Sequence, residues 1–173
     1  RLELGDKADD KVLHERIGNI QAVAEKSDTP WILVGGPPCQ AYSLVGRARN
    51  RGNADYVAGD DHRHYLYEHY LAIIAKFRPA AFVLENVKGM LSAQIDEVSI
   101  FDEIFERMHS PGGKSGPKYK IVPLIKTDAE DGEWEPRDFL VRAERLGLPQ
   151  ARHRVILVGI REDLKRSIKP MVA

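Results

Sequence analysis

Three residue groups in this sequence have types and spacings that could do chemistry. The only cysteine, Cys39, follows a run of glycines and prolines, and its thiolate would be a strong nucleophile. Glu85 follows a second apolar run and could hydrogen-bond or protonate a group on which charge develops. A lone cysteine is more often a small buried apolar residue, and a glutamate at a strand end is usually solvated. Taken together, the two residues indicate a nucleophile assisted by a carboxyl group.

The third group is Gln150, Arg152 and Arg154, at alternate positions directly before the apolar run 155–158. In an extended segment alternate side chains project from one face, which would place two guanidinium groups and an amide side by side. Such a face suits phosphate or a planar heterocycle. The alternative interpretation is a charged strand entrance on the surface.

Two short apolar runs would position the first two groups. Residues 31–34 end at a Gly-Gly-Pro-Pro loop, which predicts a buried parallel strand that delivers Cys39 to its carboxyl end. Residues 80–84 predict a second buried strand, with Glu85 just past its end. Because ligands bind outside the carboxyl ends of strands in open α/β sheets, these two ends are the expected site.

The remaining elements alternate between helical and strand patterns. Helical spacing occurs within residues 1–30, 65–77, 100–108 and 138–146, and further strands are predicted at 119–125 and 155–160. Residues 41–63 show no periodicity and carry glycines and unopposed arginines, which is typical of a functional or mobile loop. The alternation predicts an α/β fold with helices on the faces of a sheet.

Composition excludes several classes of protein. The 26 Lys+Arg residues balance 26 Asp+Glu residues, which argues against a globally basic nucleic-acid coat protein. One cysteine excludes disulfide scaffolds and cysteine-based zinc sites, and the spacing of His62, His64 and His69 does not favour a metal site. We expect no membrane span and no secretory leader, and therefore a cytoplasmic protein.

Read together, the motifs resemble those of the DNA (cytosine-5)-methyltransferases. Residues 35–40, followed by Ser43, are similar to the family's Pro-Cys nucleophile motif, and residues 82–89 to its Glu-Asn-Val motif. Residues 148–155 match its Gln-x-Arg-x-Arg motif, and residues 61–67 resemble its Asp-x-Arg-Gly-x-Leu element with His64 in place of glycine. Their order and approximate spacing hold from residue 31 to residue 154.

The resemblance implies a fold and an activity. The fold would be a partial Rossmann-like S-adenosylmethionine-dependent methyltransferase fold, a mixed sheet with helices on both faces. Cys39 would add to carbon 6 of a flipped cytosine while Glu85 holds nitrogen 3, so that carbon 5 accepts the methyl group. Arg152 and Arg154 would hold the base oxygen and a neighbouring phosphate, and residues 41–63 would form the lid. The resemblance assigns five further residues to substrate binding: Gln40, Ser43, Asn86, Val87 and Gln150.

Part of the family's cofactor site is missing from the sequence. Pro38 and Leu66 correspond to walls of the S-adenosylmethionine pocket, and Asn19 stands where the family often has an acid that contacts adenine. The family's Phe-x-Gly-x-Gly loop and its ribose-binding acid are absent. We therefore expect residues 1–173 to be the catalytic core without the amino-terminal cofactor loop and the target-recognition domain, and to be inactive or nearly so alone.

Three functions remain open at this stage. The first is cytosine-5 methylation of double-stranded DNA in the bacterial cytoplasm or nucleoid, in an epigenetic role or beside a restriction endonuclease. The second is methylation of tRNA, because a tRNA-directed branch shares two of the motifs. The third is an inactive nucleic-acid-binding relative. Retention of Cys39, Glu85, Arg152 and Arg154 together argues against the third, because binding alone needs no nucleophile.

Overall fold

The computed structural model describes residues 5–37, 66–95, 97–125 and 133–164. Within these ranges the chain forms three α-helices and seven β-strands. The helices are α1 (Lys7–Lys26), α2 (Leu66–Phe77) and α3 (Ile100–His109). The strands are β1 (Ile32–Gly35), β2 (Ala81–Val87), β3 (Gln94–Ile95), β4 (Val98–Ser99), β5 (Tyr119–Pro123), β6 (Leu140–Arg142) and β7 (His153–Arg161). None of these three helices is long and apolar enough to cross a membrane.

Five strands form a mixed sheet, which confirms the predicted α/β class. Its order is β1-β2-β7-β5, and β6 also pairs with β7. The β1 and β2 strands are parallel, whereas β7 runs antiparallel to β2, β5 and β6. Strands β3 and β4 form a separate hairpin. The predicted parallel pair therefore brings the carboxyl ends of β1 and β2 to one edge of the sheet.

One face of the sheet carries the main core. Strand β2 alternates in burial, and Phe82 and Leu84 are fully buried beside Leu157 of β7. Gly159 is required opposite Phe82, because a Cβ there would lie 2.2 Å from the phenyl ring. The core residues that helices α2 and α3 add to this cluster are Tyr67, Tyr70, Leu71, Ile74, Ile100, Phe101, Ile104 and Met108. Helix α1 packs through Ile17 on Ile73 and Phe77 of α2.

The opposite face of the sheet is exposed at β1. Ile32 is 59% exposed and Val34 is 71% exposed, whereas Leu33 between them packs against both apolar clusters. The prediction of a fully buried strand is therefore wrong for β1. Alternate residues of a strand point to opposite faces, and the described helices contact the face on which Leu33 lies.

Other predicted elements also differ from the structure. The predicted second strand ends at Val87, so Glu85 lies inside β2 and not beyond it. The helix predicted over 138–146 is wrong, because this stretch holds strand β6 between two 3₁₀ helices. Tertiary contacts determine its conformation: the buried Phe139 lies 5.7 Å from Phe101 between ring centroids, and Leu140 pairs with Val155. The helix-like spacing of apolar residues in this stretch comes from short segments that pack against α3 and β7.

Candidate functional site

Glu85 and Arg154 form an ion pair on adjacent strands. Arg154 Nε lies 2.7 Å from Glu85 Oε1, and the two side chains are 26% and 41% exposed, respectively. The register of β2 and β7 places Arg154 opposite Val87, two residues beyond Glu85. Arg154 Nη1 also donates a hydrogen bond to its neighbour's backbone oxygen, His153 O, at 2.8 Å. The carboxylate is therefore held in one orientation yet remains accessible from solvent.

The chain that leads to Cys39 is attached to the same strand end. The buried Asn86 donates from Nδ2 to Pro37 O at 3.3 Å, and its Oδ1 accepts from Val87 N at 2.8 Å. A Cβ on Gly36 would lie 3.0 Å from Glu85 Oε2, so glycine allows the loop to approach the carboxylate. The predicted convergence of the two strand ends is present up to Pro37. Four predicted site residues lie outside the described residues: Pro38, Cys39, Gln40 and Ser43.

Gln150 and Arg152 do not share a regular extended face with Arg154, and that prediction is wrong. Gln150 N donates to Leu148 O at 2.8 Å, and Arg152 N donates to Gln150 O at 2.8 Å. Each bond spans two residues, which makes the segment a pair of successive γ-turns. Pro149 is the central residue of the first turn, and its fixed φ suits that conformation. Only Arg154 of the three lies in β7, and both Gln150 and Arg152 are exposed.

Sequence reasoning missed a second polar pair beside Arg154. His153 Nε2 lies 2.6 Å from Glu144 Oε1, with both side chains about a third exposed. A backbone hydrogen bond within Glu144, the bond to His153 and the charge of Arg142 lower the pKa of the Glu144 carboxyl. The two residues are nine positions apart in no recognisable motif, so only the pairing of β6 with β7 could have indicated their contact.

Two of the residues assigned to the S-adenosylmethionine pocket are described, and they lie on different helices. Leu66 is half-buried at the first position of α2, and Asn19 is exposed within α1. A cofactor of that size needs a concave site that buries most of its surface. One half-buried apolar side chain and one exposed amide provide at most a single wall of such a site.

The described residues contain no cluster of three or more His, Cys, Asp or Glu residues that could bind a metal ion. His69 Nδ1 lies 3.9 Å from Asp10 Oδ2, whereas His62 and His64 fall outside the described ranges.

Comparison with known proteins identifies one family. The model of the C-5 cytosine-specific DNA methylases matches residues 9–172. The type II methyltransferase M.Bpa9945I of Bacillus paralicheniformis is 34% identical over 94% of this chain and 36% of its own length. The DNA (cytosine-5-)-methyltransferase M.ApeKI of Aeropyrum pernix is 31% identical over 77% of this chain and 27% of its own length. The type II methyltransferase M.BbvI of Brevibacillus brevis is 33% identical over 90% of this chain and 31% of its own length. The chain thus spans about a third of the length of these relatives.

Proposed function

Because this chain belongs to the C-5 cytosine-specific DNA methylase family, we propose that the protein containing it methylates carbon 5 of cytosine in DNA. The observation that carries the proposal is the Glu85–Arg154 ion pair, with 2.7 Å between Nε and Oε1, near the carboxyl end of β2. At the same end of β2, Asn86 donates a hydrogen bond to the backbone oxygen of Pro37. Cys39 follows Pro37 by two positions in the sequence and lies outside the described residues. A nucleophile and a carboxyl group together are what the chemistry of cytosine requires.

Carbon 5 of cytosine is too weak a nucleophile to accept a methyl group unaided. In the proposed reaction the Cys39 thiolate forms a bond to carbon 6 while the protonated Glu85 carboxyl gives its proton to nitrogen 3, and Glu85 takes that proton back when the cytosine ring is restored. The electron pair of the 5,6 double bond is then available at carbon 5. S-adenosylmethionine supplies the methyl group in this family of methyltransferases. Loss of the carbon-5 proton and release of the Cys39 thiolate restore the double bond.

The two arginines take different roles in this proposal. Arg154 orients the Glu85 carboxyl group through the 2.7 Å contact and stabilises the carboxylate that forms when Glu85 gives its proton to the base. The exposed Arg152 binds a phosphate close to the target base. The base must leave the duplex to reach Cys39, and the assignment of residues 41–63 as a lid stays a prediction because they lie outside the described residues.

We further propose that the substrate is double-stranded DNA and that the protein serves a restriction-modification system, in which a cognate endonuclease is the partner. The names of the relatives support this proposal: M.Bpa9945I and M.BbvI are type II methyltransferases. M.ApeKI is a DNA (cytosine-5-)-methyltransferase.

The test is nucleoside mass spectrometry on DNA and RNA from cells that express the intact parent protein. We expect 5-methylcytosine in DNA, its loss in Cys39→Ser, and wild-type levels in a control variant, Glu106→Ala, on the exposed side of α3. Methylation in RNA alone would instead assign the protein to the tRNA-directed branch. A folded parent that binds S-adenosylmethionine and methylates neither nucleic acid would make it an inactive relative.

A further inference from the structure

We propose that Glu144 is a positioning residue which, through His153, holds Arg152 where it binds the DNA backbone. This inference rests on the proposed function and adds a residue to it. The two side chains are in direct contact, with 2.6 Å between His153 Nε2 and Glu144 Oε1. In the sequence His153 lies between Arg152 and Arg154. A contact that fixes its ring therefore also restrains the backbone that carries both arginines.

The contact connects residues 148–152, which include Arg152, to the 3₁₀ helix Ala143–Leu146 that follows β6. This 3₁₀ helix is called the corner below. Ala143 N donates to Arg152 O at 3.0 Å, and Leu148 N donates to Ala143 O at 3.2 Å. Residues 148–152 are thus bonded to Ala143 at both ends. Glu144, the next residue, adds the one side-chain bond of this corner to β7 among the described residues.

Arg152 and Arg154 depend on this corner to different degrees. Arg154 has its own anchor in Glu85, at 2.7 Å, and lies inside a strand paired on both sides. The Arg152 guanidinium is exposed and bonds to no other described side chain, so within the described part of the chain only backbone hydrogen bonds hold residue 152 in place. Loosening the corner should therefore displace Arg152 more than Arg154. In kinetic terms, DNA binding should weaken while the chemical step is kept.

The surroundings of the pair favour the ionised form of the Glu144 carboxyl. A backbone hydrogen bond within Glu144, the bond to His153 and the charge of Arg142, which lies opposite His153 in the β6–β7 register, lower the pKa of Glu144. An ionised acceptor makes the stronger hydrogen bond. Glutamine at position 144 would keep an oxygen acceptor for His153 and lose only the charge.

The experiment compares variants of the intact parent protein on unmethylated plasmid DNA. Glu144→Ala should raise KM for DNA about 3- to 10-fold, as expected for loss of a partly exposed charged hydrogen bond, with kcat within about twofold. Glu144→Gln should recover most of the affinity. Glu106→Ala, which removes an exposed glutamate from α3, is the matched control and should change neither constant.

The decisive comparison is made in an Arg152→Ala background. If Glu144 acts by placing Arg152, adding Glu144→Ala to Arg152→Ala raises KM no further. Additive effects, a Glu144→Ala variant as active as Glu106→Ala, or a fall in kcat alone would each overturn the proposal. His153→Phe breaks the same contact without touching Glu144, should give the same rise in KM, and decides the matter if Glu144→Ala does not fold.

Affinity for a fluorescent duplex, measured by anisotropy, separates this inference from the proposed function. A wild-type parent that binds the duplex without methylating DNA refutes the proposed function. The positioning role is then judged on the dissociation constants of the same variants, with the same expected pattern.

Discussion

The two oxygens of the Glu85 carboxylate have different surroundings. Oε1 accepts from Arg154, whereas Oε2 lies 3.0 Å from the position that a Cβ on Gly36 would occupy. The second oxygen therefore faces the chain that leads to Cys39. Because Arg154 engages one oxygen, the other is the oxygen that meets the cytosine ring in the proposed reaction. The planar Arg154 guanidinium selects one of the two carboxylate oxygens. A lysine ammonium, which is a point charge, would select between them less well.

Arg154→Lys tests this orientation. The substitution keeps the positive charge but loses the guanidinium plane and the bond to His153 O, so the carboxylate can rotate. We expect the single-turnover rate of methylation by the intact protein to fall about 10- to 100-fold, the range typical of misplaced catalytic groups. Arg16→Lys, on the exposed surface of α1, should leave the rate unchanged. A wild-type rate in Arg154→Lys would show that charge alone suffices.

Helices α2 and α3 are joined by a polar cluster. Tyr67 OH donates to Glu103 Oε1 at 2.6 Å and accepts from Arg107 Nη1 at 2.9 Å. Arg107 Nη1 also lies 2.8 Å from Glu68 Oε1. Helix α2 is bonded to the sheet as well, since Tyr70 OH donates to Val83 O of β2 at 2.9 Å. The cluster therefore fixes α2 against α3.

Tyr67→Phe should destabilise the protein, because it leaves Glu103 and Arg107 without the hydroxyl that joins them. We expect a loss of about 1–2 kcal/mol in the free energy of unfolding, measured by urea denaturation. Arg107→Ala should cost a similar amount, and the double variant less than the sum of the two because the residues share one network. Strictly additive losses would contradict a shared network, and Glu106→Ala on the same helix serves as the control.

The sequence predicts the elements whose pattern is local and misses those that depend on distant partners. Residues 65–77 and 100–108 carry helical spacing over three turns, and α2 and α3 occupy nearly those bounds. The stretch 138–146 carries similar spacing, but its pairing with β7 decides its conformation.

Within the site, the family motifs associate Glu85 with Arg154, which no periodicity could do for residues 69 positions apart in the sequence. The motifs say nothing of Glu144, because its partner occupies a variable position of the Gln-x-Arg-x-Arg pattern. The γ-turns at Gln150 and Arg152 were also missed, since alternate spacing predicts a strand where Pro149 favours a turn. The motifs thus predict which residues belong to the site, and hydrogen bonds and ion pairs between distant segments determine their geometry.

At the scale of the whole molecule, the fold buries tyrosines whose hydroxyls bond to the interior. Tyr119 OH donates to Pro79 O at 2.8 Å, and Tyr70 OH donates to Val83 O. Burial is the main cause that raises the pKa of Tyr67, Tyr70 and Tyr119 above the usual value near 10. These residues lie on both helix and sheet, so their ionisation reports on the entire core.

Stability should therefore fall at alkaline pH. Unfolded tyrosines release their protons near pH 10, whereas the folded protein keeps them, so proton release favours the unfolded chain. The stabilisation is complete below about pH 10 and is lost as the pH rises towards the raised values of the folded protein. The measurement is the urea midpoint between about pH 7 and pH 11, with tyrosinate absorbance followed in parallel.

Tyr119→Phe should be less stable at pH 7, having lost the bond to Pro79 O, yet show a shallower fall above pH 10 than the wild type. Lysines also titrate in this range, but they are common to both proteins, so the difference in slope isolates the tyrosine. Equal slopes would mean that the Tyr119 hydroxyl ionises as readily in the folded protein as in the unfolded chain, against its burial and its bond to Pro79.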